Sequence, residues 1–157
     1  MELEFAKKLA AELMAELTPC TTKIEVVGSV RRQRPTVNDI DLVLIPKNQG
    51  LLDTKLRELG CRFGGPKIRR LVYKGALVDI YIATPETWAT LLLIRTGSTR
   101  HNVYLCKSAR ARGWQLKADG QGLFDYSGGL GKRVAGESEE EIFQALGLPY
   151  VPPEERE

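Results

Sequence analysis

The sequence predicts an α+β fold, a mixed β-sheet with helices packed on one face, followed by a smaller α+β subdomain. Three observations carry this. The N-terminal stretch repeats apolar residues at helical spacing, two β-branched runs flank a glycine near position 28, and the second half alternates helical stretches with short hairpins. A chain of 157 residues is long enough for one domain or two small lobes sharing a core. Its 43% hydrophobic and 27% charged residues are the balance of a globular protein.

From Glu2 to Leu17, the residues Leu3, Ala6, Leu9, Ala10, Leu13 and Leu17 recur at three- and four-residue spacing, which describes an amphipathic helix laid on a sheet and ended by Pro19. The run Lys23 to Val27 is a strand that stops at Gly28. A turn and a basic loop follow, and a second strand runs from Ile40 to Ile45 until Pro46 closes it. Leu51 to Leu59 forms a short helix with Gly60 as its stop, and Gly64-Gly65-Pro66 is a turn. Arg70 to Ala83 reads as a hairpin about Lys74-Gly75.

Thr84-Pro85-Glu86 starts the next helix with a cap, an early proline and an acid, and that helix reaches Arg95 with Trp88, Leu91 and Leu92 inward. Ser98 caps a basic helix that runs to Arg112 and stops at Gly113. Trp114 to Ala118 and Leu123-Phe124 make a small hairpin, and Ser127 to Gly136 is a glycine-rich connector. Ser138 with Glu141 is a capping box for a last helix ending at Gly147, and Pro149 to Glu157 is extended.

Alternation along a strand puts Asp39 and Asp41 on one side and Ile40, Leu42 and Leu44 on the other. Neighbouring carboxylates repel unless a cation compensates them, and a divalent metal with oxygen ligands is the natural one. Ser29 and Arg32, on the turn after Gly28, are a hydroxyl and a guanidinium suited to phosphate. Asp79, amid Val78, Ile80 and Ile82, is a third carboxylate inside an apolar strand, where it is costly unless solvated or bound.

The formal charge is only +3, but the cations cluster: Arg31, Arg32 and Arg34; then Lys67, Arg69 and Arg70; then Arg95, Arg100, Lys107, Arg110 and Arg112. Such clusters suit a polyanion. Three scattered cysteines, Cys20, Cys61 and Cys106, give neither a disulfide framework nor a zinc motif. His101 is the single histidine, which argues against a Ser-His-Asp triad. No apolar run approaches the ~20 residues of a membrane span, and no signal peptide is evident, so the expected location is cytoplasmic, with no membrane partner.

Together, Gly28-Ser29 with Arg32, the Asp39-Ile40-Asp41 pair, Asp79, and the segment Thr96-Gly97-Ser98-Thr99-Arg100-His101-Asn102 resemble the family X DNA polymerases of the DNA polymerase β nucleotidyltransferase superfamily. The ending, Arg133-Val134-Ala135-Gly136-Glu137 and then Gly147-Leu148-Pro149-Tyr150-Val151-Pro152-Pro153-Glu154, is similar to bacterial and archaeal members. The resemblance covers palm and C-terminal subdomain, and implies a nucleotidyltransferase palm over 1–85, a thumb-like nucleotide- and DNA-binding subdomain over 86–157, and no N-terminal lyase domain. It implies that Asp39, Asp41 and Asp79 are catalytic and bind two Mg²⁺ ions, for which Mn²⁺ can substitute. It places Gly28, Ser29, Arg32, Asn38, Gly97, Ser98 and Asn102 at the nucleotide. Arg69, Arg70, Arg100, Lys107 and Arg110 are the expected DNA contacts.

The implied function is template-directed transfer of a nucleotide from a dNTP to the primer 3′-OH of gapped or primer-template DNA, in short-gap repair, by a monomer aided by other repair proteins. Departures from the family pattern are Ile94-Arg95 where aromatic residues commonly exclude a ribose hydroxyl, Cys106 for a template-contacting arginine, Tyr81 for an arginine and Asn38 for a glycine. Two other functions stay open on the residues: nucleotidyl transfer to another acceptor (RNA, a small molecule or a protein), and a non-catalytic DNA-binding module.

Overall fold

Helix α1 (Leu3–Leu17) buries Ala6, Leu9, Ala10, Leu13 and Leu17, the stripe its spacing predicts. It lies on a five-stranded sheet built from β1 (Thr21–Val27), β2 (Ile40–Pro46), β3 (Phe63–Gly64), β4 (Ile68–Tyr73) and β5 (Ala76–Ile82), in the order β1-β2-β5-β4-β3. Strands β2 and β5 run parallel at the centre, and the other pairs are antiparallel. The computed structural model describes residues 1–157, apart from the side chain of Phe63.

Ile40, Leu42 and Leu44 of β2 and Val78 and Ile80 of β5 are fully buried beneath α1 and α3 (Gln49–Glu58), which contributes Leu52 and Leu56. The β4–β5 hairpin turns at Lys74-Gly75, both at positive φ, the conformation a two-residue connection requires. Helix α4 (Trp88–Thr96) covers part of the opposite face, where Leu91 packs with Val27, Val43, Ile45 and Ala83. Beyond it, α5 (Thr99–Arg110) and α6 (Glu139–Ala145) close on a three-stranded sheet, β6 (Trp114–Lys117), β7 (Gly122–Asp125) and β8 (Lys132–Ala135). Leu93, Leu105, Leu123, Ile142 and Phe143 form this second core.

Four local expectations change. Gly28 to Arg31 is a single helical turn, α2, instead of an open turn. Helix α4 starts at Trp88, because Thr84 and Thr87 bond to each other's backbone and hold 84–87 as a separate turn. The glycine-rich stretch after Ser127 holds strand β8, paired with β7 through a register shift between Leu123 and Phe124. The tail forms a 3₁₀ turn at Pro153–Glu155 and buries Arg156 completely, so it is docked and not merely extended.

Candidate active site

The β1–α2–β2 connection positions the site. Gly28 takes φ +61°, and a Cβ there would stand 2.2 Å from Asp41 Oδ2. Only glycine lets the α2 backbone approach the carboxylate so closely. Helix α2 then delivers Ser29 and Arg32 to a cavity of about 540 Å³ also lined by Asn38, Asp39, Asp41, Tyr81, Ile94, Arg95, Gly97 and Asn102. Asp39 precedes β2 and Asp41 lies within it, and both line the cavity.

Asp79 lies beside this pair. In the parallel register Asp41 is the partner of Asp79, and across the next, antiparallel pairing Asp79 is the partner of Arg70. The Asp79 side chain is buried, and its Oδ1 accepts a hydrogen bond from Arg70 Nε at 2.9 Å. Burial first, then the charges of Asp39 and Asp79, push the Asp41 carboxyl up to about 7, against the opposing pull of Arg95 and Arg32. These hard oxygen donors, short of positive charge, fit a divalent cation in chemistry. Among the described residues, however, no three Asp, Glu, His or Cys side chains are already arranged as a metal cage. Arg70 takes an oxygen such a cage would use.

Arg32 donates from Nη1 to the Thr96 carbonyl at 2.5 Å, which ties α2 to the end of α4. Burial, then the charge of Arg34, lowers its pKa, while Asp41 opposes. The Arg95 guanidinium lies over the Tyr81 ring, 4.2 Å from its centroid. Burial, then the charge of Asp41, raises the Tyr81 phenol. Asn102 donates to the Ile94 carbonyl at 2.8 Å, and Ser98 Oγ caps α5 by accepting from His101 N at 3.2 Å. Thus Ser98 is employed in holding the helix, and Asn102 in joining α5 to α4.

Of the expected DNA contacts, Arg100, Lys107 and Arg110 are exposed on α5. Arg69 is half-buried and held against the protein, bonding Asp53 and the Gly65 carbonyl, both at 2.7 Å. Arg31 was indistinguishable in sequence from its basic neighbours. In the structure it turns away from the cavity and bonds Glu139 through both Nη atoms, at 2.9 and 2.7 Å, and Thr96 Oγ1 at 2.7 Å. The fully buried Arg156 bonds the same Glu139 at 2.7 Å. No local pattern marks this triad, since its members lie in three distant segments.

Residues 91–157 match the family described as DNA polymerase beta thumb. The DNA polymerase/3'-5' exonuclease PolX of Bacillus subtilis is 29% identical over 168 residues, an alignment covering 98% of this chain and 28% of PolX. The chain is a relative of the family X DNA polymerases. This family X relative spans little more than a quarter of PolX, and its family-model match lies in the half that carries α5, α6 and the small sheet. In fold it is similar to polymerase beta of Leishmania infantum, solved as a ternary P/T complex, with a TM-score of 0.79 and 24% identity over all of this chain and 76% of that one.

Proposed function

We propose that the chain is a metal-dependent nucleotidyltransferase that extends a primer 3′-OH in DNA with a dNTP, as a template-directed polymerase acting at short gaps in repair. In this scheme residues 1–85 are the catalytic palm and 86–157 grip nucleotide and DNA. The observation that carries it is the convergence of Asp39, Asp41, Ser29 and Arg32 on one cavity, with Asp79 in register beside Asp41. Asp39, Asp41 and Asp79 would hold Mg²⁺ or Mn²⁺, which when bound stabilises charge on the attacking and leaving oxygens. Arg32 and Ser29 bind phosphate oxygens of the incoming nucleotide. Tethered through Thr96, Arg32 is presented to the triphosphate in a fixed place, which favours in-line attack by positioning. Exposed Arg100, Lys107 and Arg110 supply cations for the phosphates of the duplex. Both relatives are named as polymerases, and the Leishmania protein was solved as a ternary P/T complex, which supports the same acceptor.

Primer extension on a one-nucleotide-gapped duplex tests it, with Mg²⁺ or Mn²⁺, each dNTP supplied singly, and Asp41→Ala in parallel. Extension by the templated nucleotide alone, lost in the variant, is the expected result. Untemplated addition would recast the chain as a terminal transferase, and no extension with either metal would remove the polymerase assignment.

A further inference from the structure

Arg70 and Asp79 face each other across β4 and β5, joined by the single 2.9 Å hydrogen bond from Nε to Oδ1. The two ends of this pair differ sharply: the Asp79 side chain is 10% exposed and the Arg70 side chain 65%. Among the described residues neither Nη of Arg70 bonds the protein, so the outer edge of the guanidinium is open to a phosphate, which it can bind bidentately. Three other ion-paired arginines are fixed: Arg31 and Arg156 are locked on Glu139, and Arg69 is held at two points. A groove of about 490 Å³ opens beside Arg70, with Arg62 as its other cation and Leu59, Val72 and Leu77 on its walls.

We propose that Arg70 is a displaceable counter-ion: it occupies Asp79 while the site is empty, and a backbone phosphate of bound DNA draws it off, so that the third carboxylate becomes available to a divalent cation only when the primer is in place. This rests on the nucleotidyl-transfer function proposed above. It explains why the carboxylates share a strand register yet do not already form a cage. With the Arg70 end of the pair 65% exposed, water screens the attraction and a phosphate can compete for the guanidinium. Arg70 is then a positioning residue that acts through Asp79.

The test is an electron paramagnetic resonance titration of Mn²⁺ into the full chain, without nucleic acid and with a gapped duplex whose primer ends in a 2′,3′-dideoxynucleotide. Wild type should bind Mn²⁺ more tightly with the duplex than without it. Arg70→Gln should bind Mn²⁺ about five-fold more tightly than wild type in the absence of DNA, and gain less from the duplex. In an Asp79→Asn background the same substitution should give no gain. Arg70→Gln affinity equal to wild type would overturn the proposal, as would an undiminished gain in the Asp79→Asn background, which would mark a general charge effect. Primer extension by wild type reads the polymerase function separately: its failure would remove that function while a shifted Mn²⁺ affinity in Arg70→Gln would still support the latch.

Discussion

Arg31 and Glu139, 108 positions apart, hold each other through two hydrogen bonds of 2.9 and 2.7 Å, and Arg156 adds a third to the same carboxylate. Burial alone would raise the Glu139 carboxyl, but the two guanidinium groups hold it below its ordinary range. Arg31 is the chain neighbour of Arg32, so this triad anchors the turn that faces the cavity to helix α6 and the docked tail. Removing the shared acid leaves two guanidiniums facing each other with little solvent. Glu139→Ala is expected to cost about 3–5 kcal/mol in urea unfolding at pH 7. A cost below about 1 kcal/mol would mean that water replaces the carboxylate without strain.

Gly28→Ala tests the close approach at the other end of α2. The added methyl would sit 2.2 Å from Asp41 Oδ2 on a backbone at φ +61°, so either the carboxylate rotates or the turn shifts. Primer extension should be lost and stability should fall by about 1–3 kcal/mol. Gly60→Ala is the control, since its φ is +90° but nothing lies within 4 Å of the added carbon. That variant should cost only the backbone penalty of about 1 kcal/mol and keep activity.

His101 sits between the rings of Tyr104 and Phe143, at centroid distances of 6.0 and 5.8 Å, and neither ring nitrogen has a hydrogen-bond partner among the described residues. Burial, then the charge of Arg156, lowers its pKa to about 4 from an ordinary 6.5. The unfolded chain therefore takes up a proton first. The contribution of His101 to stability is full above pH 6.5 and is lost as pH falls towards 4, by at most about 3 kcal/mol. His101→Leu should remove that loss, so the urea midpoint of the variant relative to wild type should rise as pH falls from 7 to 4.5. The loss from Glu139 begins only below 4.5, because its folded pKa is depressed.

Much of this site was legible because its signals are local. Asp39 and Asp41 are two residues apart, and Ser29 and Arg32 lie within one turn of Gly28. Asp79 was legible as an acid inside an apolar run. What strand periodicity cannot carry is pairing between segments, so the contact of Arg70 with Asp79, the stacking of Arg95 on Tyr81 and the burial of Arg156 emerge only in the fold. Glycine-rich composition read as connector at 127–136 because turn residues at both ends outweigh a four-residue strand, Lys132–Ala135, that is set by pairing with β7. Similarly, the helical turn at Gly28–Arg31 is too short for any hydrophobic period to announce it.

The sharpest consequence of the electrostatics concerns Asp41 itself. Its carboxyl is moved from an ordinary 3.8 to about 7 by burial and by Asp39 and Asp79. Because the folded pKa lies above the unfolded one, the folded chain retains a proton that the unfolded chain releases. In metal-free buffer Asp41 therefore favours the fold most below about pH 4, and that contribution disappears as pH rises through 7. Asp41→Asn removes the ionisation, so in chelator at pH 8 the variant should be more stable than wild type, by at most about 4 kcal/mol. At pH 4 the difference should vanish. The same variant should not extend primers, and a gain in stability joined to loss of activity distinguishes a carboxylate kept charged for a ligand from one that merely packs. Melting curves at the two pH values decide it: an Asn variant with the same advantage at pH 4 and pH 8 would show that water already compensates the charge.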